Sequence, residues 1–486
     1  MREYKQVETP LLTAMRTYIE DGAIPFHTPG HKQGRGMHKV FRDVVTDTGL
    51  AMEVSLMAEL DDLHEPQTCL KAAQELMAAL YGADESYFVI NGTTGAIHAM
   101  ILAAVNPGDQ IIVPRNAHRS VLGGIMLSGA IPIFMQPEID QELGIAMAVT
   151  PEEVAKTIAK YPQAKAVLMV YPTYYGVAAD LQKVAQIVHE NSMLLLVDEA
   201  HGPHFKFYPT LPMQALDAGA DLVAQSTHKI IGAMTQSSVL HVKGDRVDLN
   251  RLRAMLSLVQ STSPNYLLMA SLDVARMQMA TEGTQLLAKA IELSNWARKE
   301  INKIDGLYCF GEEKMTAGFY QLDVTKLTVT VKGLGLSGTE AEQILRHQYK
   351  IQAELSDIFN VLFIISYADQ RNEVEGLVRS LADLAANYKR KCQQMSHESA
   401  VYPAIPAALL SPRDALFADK QTVLFAEAEG MVCAEMITFY PPGIPIICPG
   451  EKISRAVIAY CLQMQRAGLK VVGPEDVHLR KIKVVK

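Results

Sequence analysis

Along most of this chain, segments with helical spacing of apolar residues alternate with short, nearly continuous apolar runs. Leu70–Tyr81 has the 3.6-residue rhythm of an amphipathic helix and stops at Gly82. Ser86–Ile90 is an apolar run broken by Asn91-Gly92, as a strand entering a turn is. Gly95–Val105 reads as helix and ends at Asn106-Pro107-Gly108; Gln110–Val113 reads as strand. Pro151–Lys160 opens with proline in its first turn and acids behind it, a favoured helix start. Ala166–Tyr171 is apolar throughout, which predicts a buried strand. Asp180 is placed to cap a helix over Leu181–Asn191, and Met193–Val197 is a β-rich run ending in Asp198. Repeated strand–helix units predict right-handed crossovers and an α/β domain, its mostly parallel sheet covered on both faces. In such sheets chemistry collects at the carboxyl ends of the strands.

The rhythm differs at both ends. Residues 1–65 read as an N-terminal arm, with one short helix (Leu11–Glu20) and the Gly/Pro/His-rich segment FHTPGHKQGRG. Residues 66–300 read as the large domain. After residue 300 a half-buried alternating strand (Leu327–Val331), a helix (Gly338–Tyr349) and a further strand (Asn360–Ser366) predict a smaller α+β domain to about residue 390. Asn387–Pro403 is charged and polar, as a linker is. A last unit to residue 486 carries the loop YPPGIPIICPGE.

Composition narrows the class. At roughly 150 residues per domain, 486 residues suggest about three domains. Apolar residues make up 49% and charged residues 20%, which is globular rather than disordered. The formal net charge of −8 argues against a nucleic-acid scaffold. The six cysteines are scattered with no C-x-x-C pair, so neither a zinc cluster nor a disulfide framework is expected, and a reducing cytosol fits. The N-terminus has no signal pattern. The longest stretch free of Asp, Glu, Lys and Arg, Ser86–Gly108, is interrupted by the polar turn Asn91–Gly95 and by His98, which argues against a membrane span. A cytoplasmic protein with no metal is expected.

The candidate chemistry lies in two motifs: VDEAH (Asp198, His201) and STHK (Ser226, Thr227, His228, Lys229). A lysine at a strand end, partly desolvated, can lose its proton and attack a carbonyl. A buried aspartate can hold a pyridine nitrogen protonated. That division of labour is the one a pyridoxal phosphate (PLP) site uses. Taken singly, Asp198 reads as a helix cap and Lys229 as a surface lysine. FVINGTTGA adds an anion site: a strand, then Thr93, Thr94 and Gly95 opening a helix whose free N–H groups face the ligand. Ser226 is a further phosphate ligand. His118, in PRNAHRS, follows a strand and offers a flat imidazole to stack on a ring; a capping role is the simpler alternative. VDEAH is also the form of a helicase box, but the chain has no Gly-Lys dipeptide and so no P-loop.

Taken in order from residue 26 to residue 451, FHTPGHKQG, LDDLHEP, NGTTGA, PRNAHRS, VDEAHG, STHK, TSPNYLLMASLD and YPPGIPIICPGE resemble the fold type I, PLP-dependent Orn/Lys/Arg decarboxylases, most of all the short bacterial arginine enzymes of biosynthetic type. The chain reads as lacking the receiver-like N-terminal wing of the large acid-stress members. The resemblance implies decarboxylation of a basic amino acid, arginine to agmatine and CO2, in polyamine biosynthesis. It implies that Lys229 bonds the cofactor's aldehyde, Asp198 pairs with the ring nitrogen and His118 stacks on the ring. Thr93, Thr94, Gly95, His201, Ser226 and His228 would line the cofactor. Ser261 and Thr262 match a segment that reaches the neighbouring subunit's phosphate, implying a homodimer with the site at its interface. Glu354, in IQAELSD, matches an acid for the substrate's distal cation, with Asp357 the alternative. Lys229 or His228 would protonate Cα. The phosphate turn is shorter than the Ser/Thr run of the large members, and His201 stands where some members have Trp.

Other readings differ in substrate or class. Lysine or ornithine would give cadaverine or putrescine. An aminotransferase or aldolase of the same fold would want an arginine clamping the α-carboxylate, for which Arg346 and Arg371 are the residues to inspect. A catalytically silent binding partner would not need Lys229, Asp198 and the phosphate turn together.

Overall fold

A computed structural model describes residues 4–389, 403–440 and 444–486. Most of the expected 387–403 linker, Cys392 and residues 441–443 of the YPPGIPIICPGE loop lie outside the described residues. The chain divides into two compact units: residues 1–103, 196–209 and 213–285, and residues 104–195, 210–212 and 286–486.

In the first unit, Glu85–Val89 pairs antiparallel with Ser238–Val242, which pairs antiparallel with Leu222–Gln225; that strand in turn runs parallel to Leu194–Asp198. Three strands therefore point one way and one is reversed. Val89 lies opposite Ser238, Gln225 opposite Val239, and Asp198 opposite Ala224. The carboxyl ends of the three co-directional strands and the start of the reversed one thus share one edge. The helix Cys69–Tyr81 ends at Gly82, whose φ of 74° closes it in the left-handed conformation glycine adopts without strain. The helix after the first strand is Gly92–Ala104, beginning three residues earlier than its apolar pattern indicates, so Thr93 and Thr94 fall in its first turn.

Asp61, in the LDDLHEP segment, organises the chain's entry into this unit. Its carboxylate accepts from the backbone N–H groups of Gln67, Thr68 and Leu70, satisfying orphan donors at a helix start. Its carbonyl accepts from the Tyr266 hydroxyl.

The arm is tethered by charge. Asp273 and Arg276, fully buried on the helix Tyr266–Ile301, pair at 2.8 Å. Asp273 also accepts from Leu11 N at 3.0 Å, and Arg276 donates to the carbonyls of Gln6 and Glu8. Asp273→Ala leaves a buried guanidinium and an orphan helix N–H, so urea unfolding is expected to show a loss of about 3–5 kcal/mol.

In the second unit, Gln110–Pro114 runs parallel to both Ile131–Met135 and Ala166–Val170. Helix Pro151–Lys160 is capped by Thr150, and helix Leu181–Glu190 by Asp180, whose side chain accepts from Lys183 N. A second, antiparallel sheet orders Tyr308–Cys309, Lys326–Thr330, Asn360–Ile364 and Leu355–Ser356. The strand expected to alternate over Leu327–Val331 spans Lys326–Thr330 and is buried at four of its five positions, because it is an interior strand whose Leu327 and Val329 join a core with Leu345, Val361 and Leu381. Lys326 itself is buried beside Asp323 at 3.4 Å, which compensates its charge. The C-terminal segment has its own core, including Ile437, Ile447, Val457, Cys461 and Val484.

Candidate active site

The shared strand edge of the first unit gathers most of the residues singled out above. Lys229 stands on the short helix Thr227–Ile230, reached directly from the strand Leu222–Gln225. Its Nζ lies 2.9 Å from His201 Nε2, so the ammonium donates to the imidazole lone pair. His201 is buried. Asp198 is buried at the end of its own strand, its Oδ1 accepting from Ala200 N at 3.2 Å. Burial raises the Asp198 pKa, and the Lys229 charge pulls it back in part. VDEAH and STHK thus meet through a direct lysine–histidine contact.

His228 donates from Nδ1 to the Ser237 carbonyl at 2.9 Å. That bond leaves Nε2 as the atom that exchanges protons. Burial, with a smaller contribution from Lys229, lowers the His228 pKa against the opposing pull of the Ser237 bond, which disfavours the charged ring.

The phosphate turn resolves into one buried hydroxyl cluster. Thr93 Oγ1 bonds to Ser226 Oγ and, at 2.9 Å, to Ser238 Oγ. Thr94, one residue on, is exposed: successive helical residues point about 100° apart. Gly92 has φ +74°, and a Cβ on Gly95 would fall 2.0 Å from Asn91 Oδ1. Asn91 is fixed by a bond from its Nδ2 to the Val259 carbonyl, so Gly95 is required for the turn to close. Ser261 and Thr262 are exposed, on a turn where His64 donates to the Ser261 carbonyl.

Three participants were missed from sequence. Ser238 opens the reversed strand and Ser237 immediately precedes it, bringing both to the edge. Glu199, the second acid of VDEAH, is fully buried and accepts from Ala215 N and Gln225 Nε2, each at 2.7 Å. Burial pushes its pKa up to about 8. Gln225 in turn accepts from His241 Nε2, and His241 Nδ1 accepts from Ser86. This chain of bonds ties the Asp198–His201 turn to three neighbouring strands.

The other candidates belong to the second unit. His118 caps the helix Arg119–Ser128, its Nδ1 2.8 Å from Ser120 Oγ. Asp357 accepts from Tyr175 OH, Phe359 N, Asn360 N and Asn360 Nδ2, a saturated carboxylate that shapes its own turn. Glu354 is exposed. Arg346 is exposed on the last turn of its helix; Arg371 lies 5.0 Å from the Trp296 ring and pairs with Glu375. Arg371 is thus already engaged on the surface of its helix.

Among the described residues no group of His, Cys, Asp and Glu is arranged to hold a metal ion, and no helix is long and apolar enough to cross a membrane. The five described cysteines are buried free thiols.

The donor set fits PLP: an amine beside an acceptor imidazole, a buried carboxylate, and hydroxyls at a helix start. Known proteins point the same way. The model of the Orn/Lys/Arg decarboxylase major domain matches residues 9–373, and that of its C-terminal domain residues 395–477. An arginine decarboxylase of Halalkalibacterium halodurans is 44% identical over 99% of this chain and 98% of its own. One of Bacillus subtilis is 42% identical over 99% and 98%. The crystal structure of a lysine decarboxylase from Francisella novicida, 24% identical, superposes with a TM-score of 0.88 over 99% of this chain and 81% of that one. The fold is that of the fold type I enzymes, and the family is PLP-dependent. With matches across nearly its whole length, the chain belongs to the Orn/Lys/Arg decarboxylase family.

Proposed function

We propose that this enzyme decarboxylates L-arginine to agmatine and CO2 with PLP, as a cytoplasmic enzyme of polyamine biosynthesis. The contact of Lys229 with His201 beside buried Asp198 carries the reading. The relatives named as arginine decarboxylases support the substrate.

When bound, PLP supplies an electron sink for the pair left on Cα as CO2 departs. The residues do the rest. His201 Nε2 takes a hydrogen bond from the Lys229 ammonium, offering a route by which the amine becomes nucleophilic. Asp198 holds a cationic ring N–H. Thr93, Ser226 and Ser238 bind phosphate, with Gly95 letting the turn close. Burial lowers the His228 pKa and disfavours its protonated form, which favours Lys229 as the donor to Cα. His118 keeps the stacking role that the family resemblance implies.

Between the two substrate acids, the saturated carboxylate of Asp357 favours Glu354 for the guanidinium. Glu354→Gln is expected to raise KM for arginine roughly 10–150-fold, the equivalent of one charge-assisted hydrogen bond, with a smaller change in kcat. Steady-state kinetics at saturating cofactor measure it. An unchanged KM removes Glu354 from the substrate site.

A homodimer is part of the proposal. Ile24, Phe26, Val40, Phe41 and Val44 are all exposed in the arm, Phe26 at 93%, which suits a surface covered by a second copy. Ser261 and Thr262 are exposed, as residues reaching a partner must be. The reaction class is tested with carboxyl-labelled arginine. Release of labelled CO2 without keto acid supports decarboxylation; keto acid without CO2 makes the enzyme an aminotransferase.

A further inference from the structure

Two motifs remain without a function: the Arg115 end of PRNAHRS and the Glu451 end of YPPGIPIICPGE. The fold joins them. Arg115 and Glu451 are both buried and form a two-pronged ion pair, NH1 to Oε1 at 2.6 Å and NH2 to Oε2 at 2.8 Å. NH2 also donates to the Ile446 carbonyl at 2.8 Å, and NH1 lies 3.5 Å from Cys448 Sγ. The guanidinium sits 4.6 Å from the centre of the Phe134 ring.

Each partner is fixed in its own segment. Glu451 Oε2 accepts from Cys448 N, and its carbonyl accepts from Cys433 N. Next to it, Gly450 has φ +89°, and a Cβ there would meet the Leu410 carbonyl at 2.3 Å, so the turn admits only glycine. On the other side, Arg115 N donates to Met135 O and Asn116 Nδ2 to Met147 O. Three residues after Arg115 stands His118, at the cap of its helix.

A buried ion pair stabilises little relative to well-packed apolar residues. What a bidentate guanidinium–carboxylate pair supplies is a fixed plane and a fixed distance. We propose that Glu451 is a positioning residue: from the C-terminal domain it sets, through Arg115, the loop on which His118 stands. The C-terminal domain is then part of the active-site scaffold. The functional half of this proposal rests on the stacking role of His118.

The test compares full-length holoenzymes: wild type, Glu451→Gln, the apolar double variant Arg115→Met/Glu451→Leu, and His118→Ala. The double variant removes the fork without leaving a buried charge, so it is the one expected to keep wild-type stability in urea. Three readouts are taken: amide exchange at residues 116–119, the visible circular dichroism of the bound cofactor, and kcat with KM. The expected result is faster exchange in the double variant, a dichroism change in the same direction as in His118→Ala, and a fall in kcat of about tenfold to a hundredfold with KM changed less. Wild-type exchange in a stably folded double variant overturns the proposal. So does faster exchange with wild-type dichroism and kcat, if His118→Ala alters both. If His118→Ala alters neither, the stacking reading fails, and amide exchange alone decides whether Glu451 positions the loop.

Discussion

Lys229→Ala is expected to abolish turnover and the visible band of covalently held cofactor together. The side chain has two tasks in this account, bonding the cofactor and moving a proton at Cα. The second alone is worth roughly 10²–10⁴ in rate, so the combined loss in kcat should be at least about a thousandfold. The fold should survive: Lys229 is only half-buried, and the neighbouring VDEAH turn is anchored independently through Glu199, which accepts from Ala215 N and Gln225 Nε2. Near-wild-type urea stability with no activity and no covalent band is the expected pattern. A persisting covalent band would assign the aldehyde to another lysine.

Asp198→Asn is expected to separate activity from stability. Asparagine keeps the shape of the side chain but cannot balance a cationic ring nitrogen. Loss of one preorganised electrostatic contact typically costs about 10²–10³ in kcat. The cofactor-free protein should move the other way. Burial raises the Asp198 pKa, so ionising it in the native state is unfavourable, and its contribution to stability falls as pH rises through the raised value. The amide has no such cost. Cofactor-free Asp198→Asn should therefore have a higher Tm than wild type at neutral pH, with the difference closing as the solution is acidified and Asp198 takes up its proton. Equal Tm values across that range would mean that Asp198 is not a destabilised carboxylate.

Much of this site was legible because its chemistry sits at the ends of apolar runs. Leu194–Asp198 and Leu222–Gln225 are continuous and buried, and each delivers its functional residues within a few positions of its last rung. Helix ends were equally readable, since Asp180 and Gly82 act through a local bond or backbone conformation. What local pattern could not show was pairing. Nothing near Ser238–Val242 says that it runs backwards between two co-directional strands, and so Ser237 and Ser238 went unseen. The 36-residue helix Tyr266–Ile301 was hidden for another reason: its apolar residues form no single stripe to mark a helical face. Asp357 looked like a free acid in sequence, yet its spacing to Phe359 and Asn360 is that of a side chain closing its own turn.

The central claim, decarboxylation of arginine by the Lys229 site, is tested most directly by one turnover panel. Purified holoenzyme is given arginine, lysine and ornithine separately and in competition, and the product amines are identified. Agmatine with stoichiometric CO2, and little cadaverine or putrescine, is the predicted result. Cadaverine or putrescine without agmatine would contradict it.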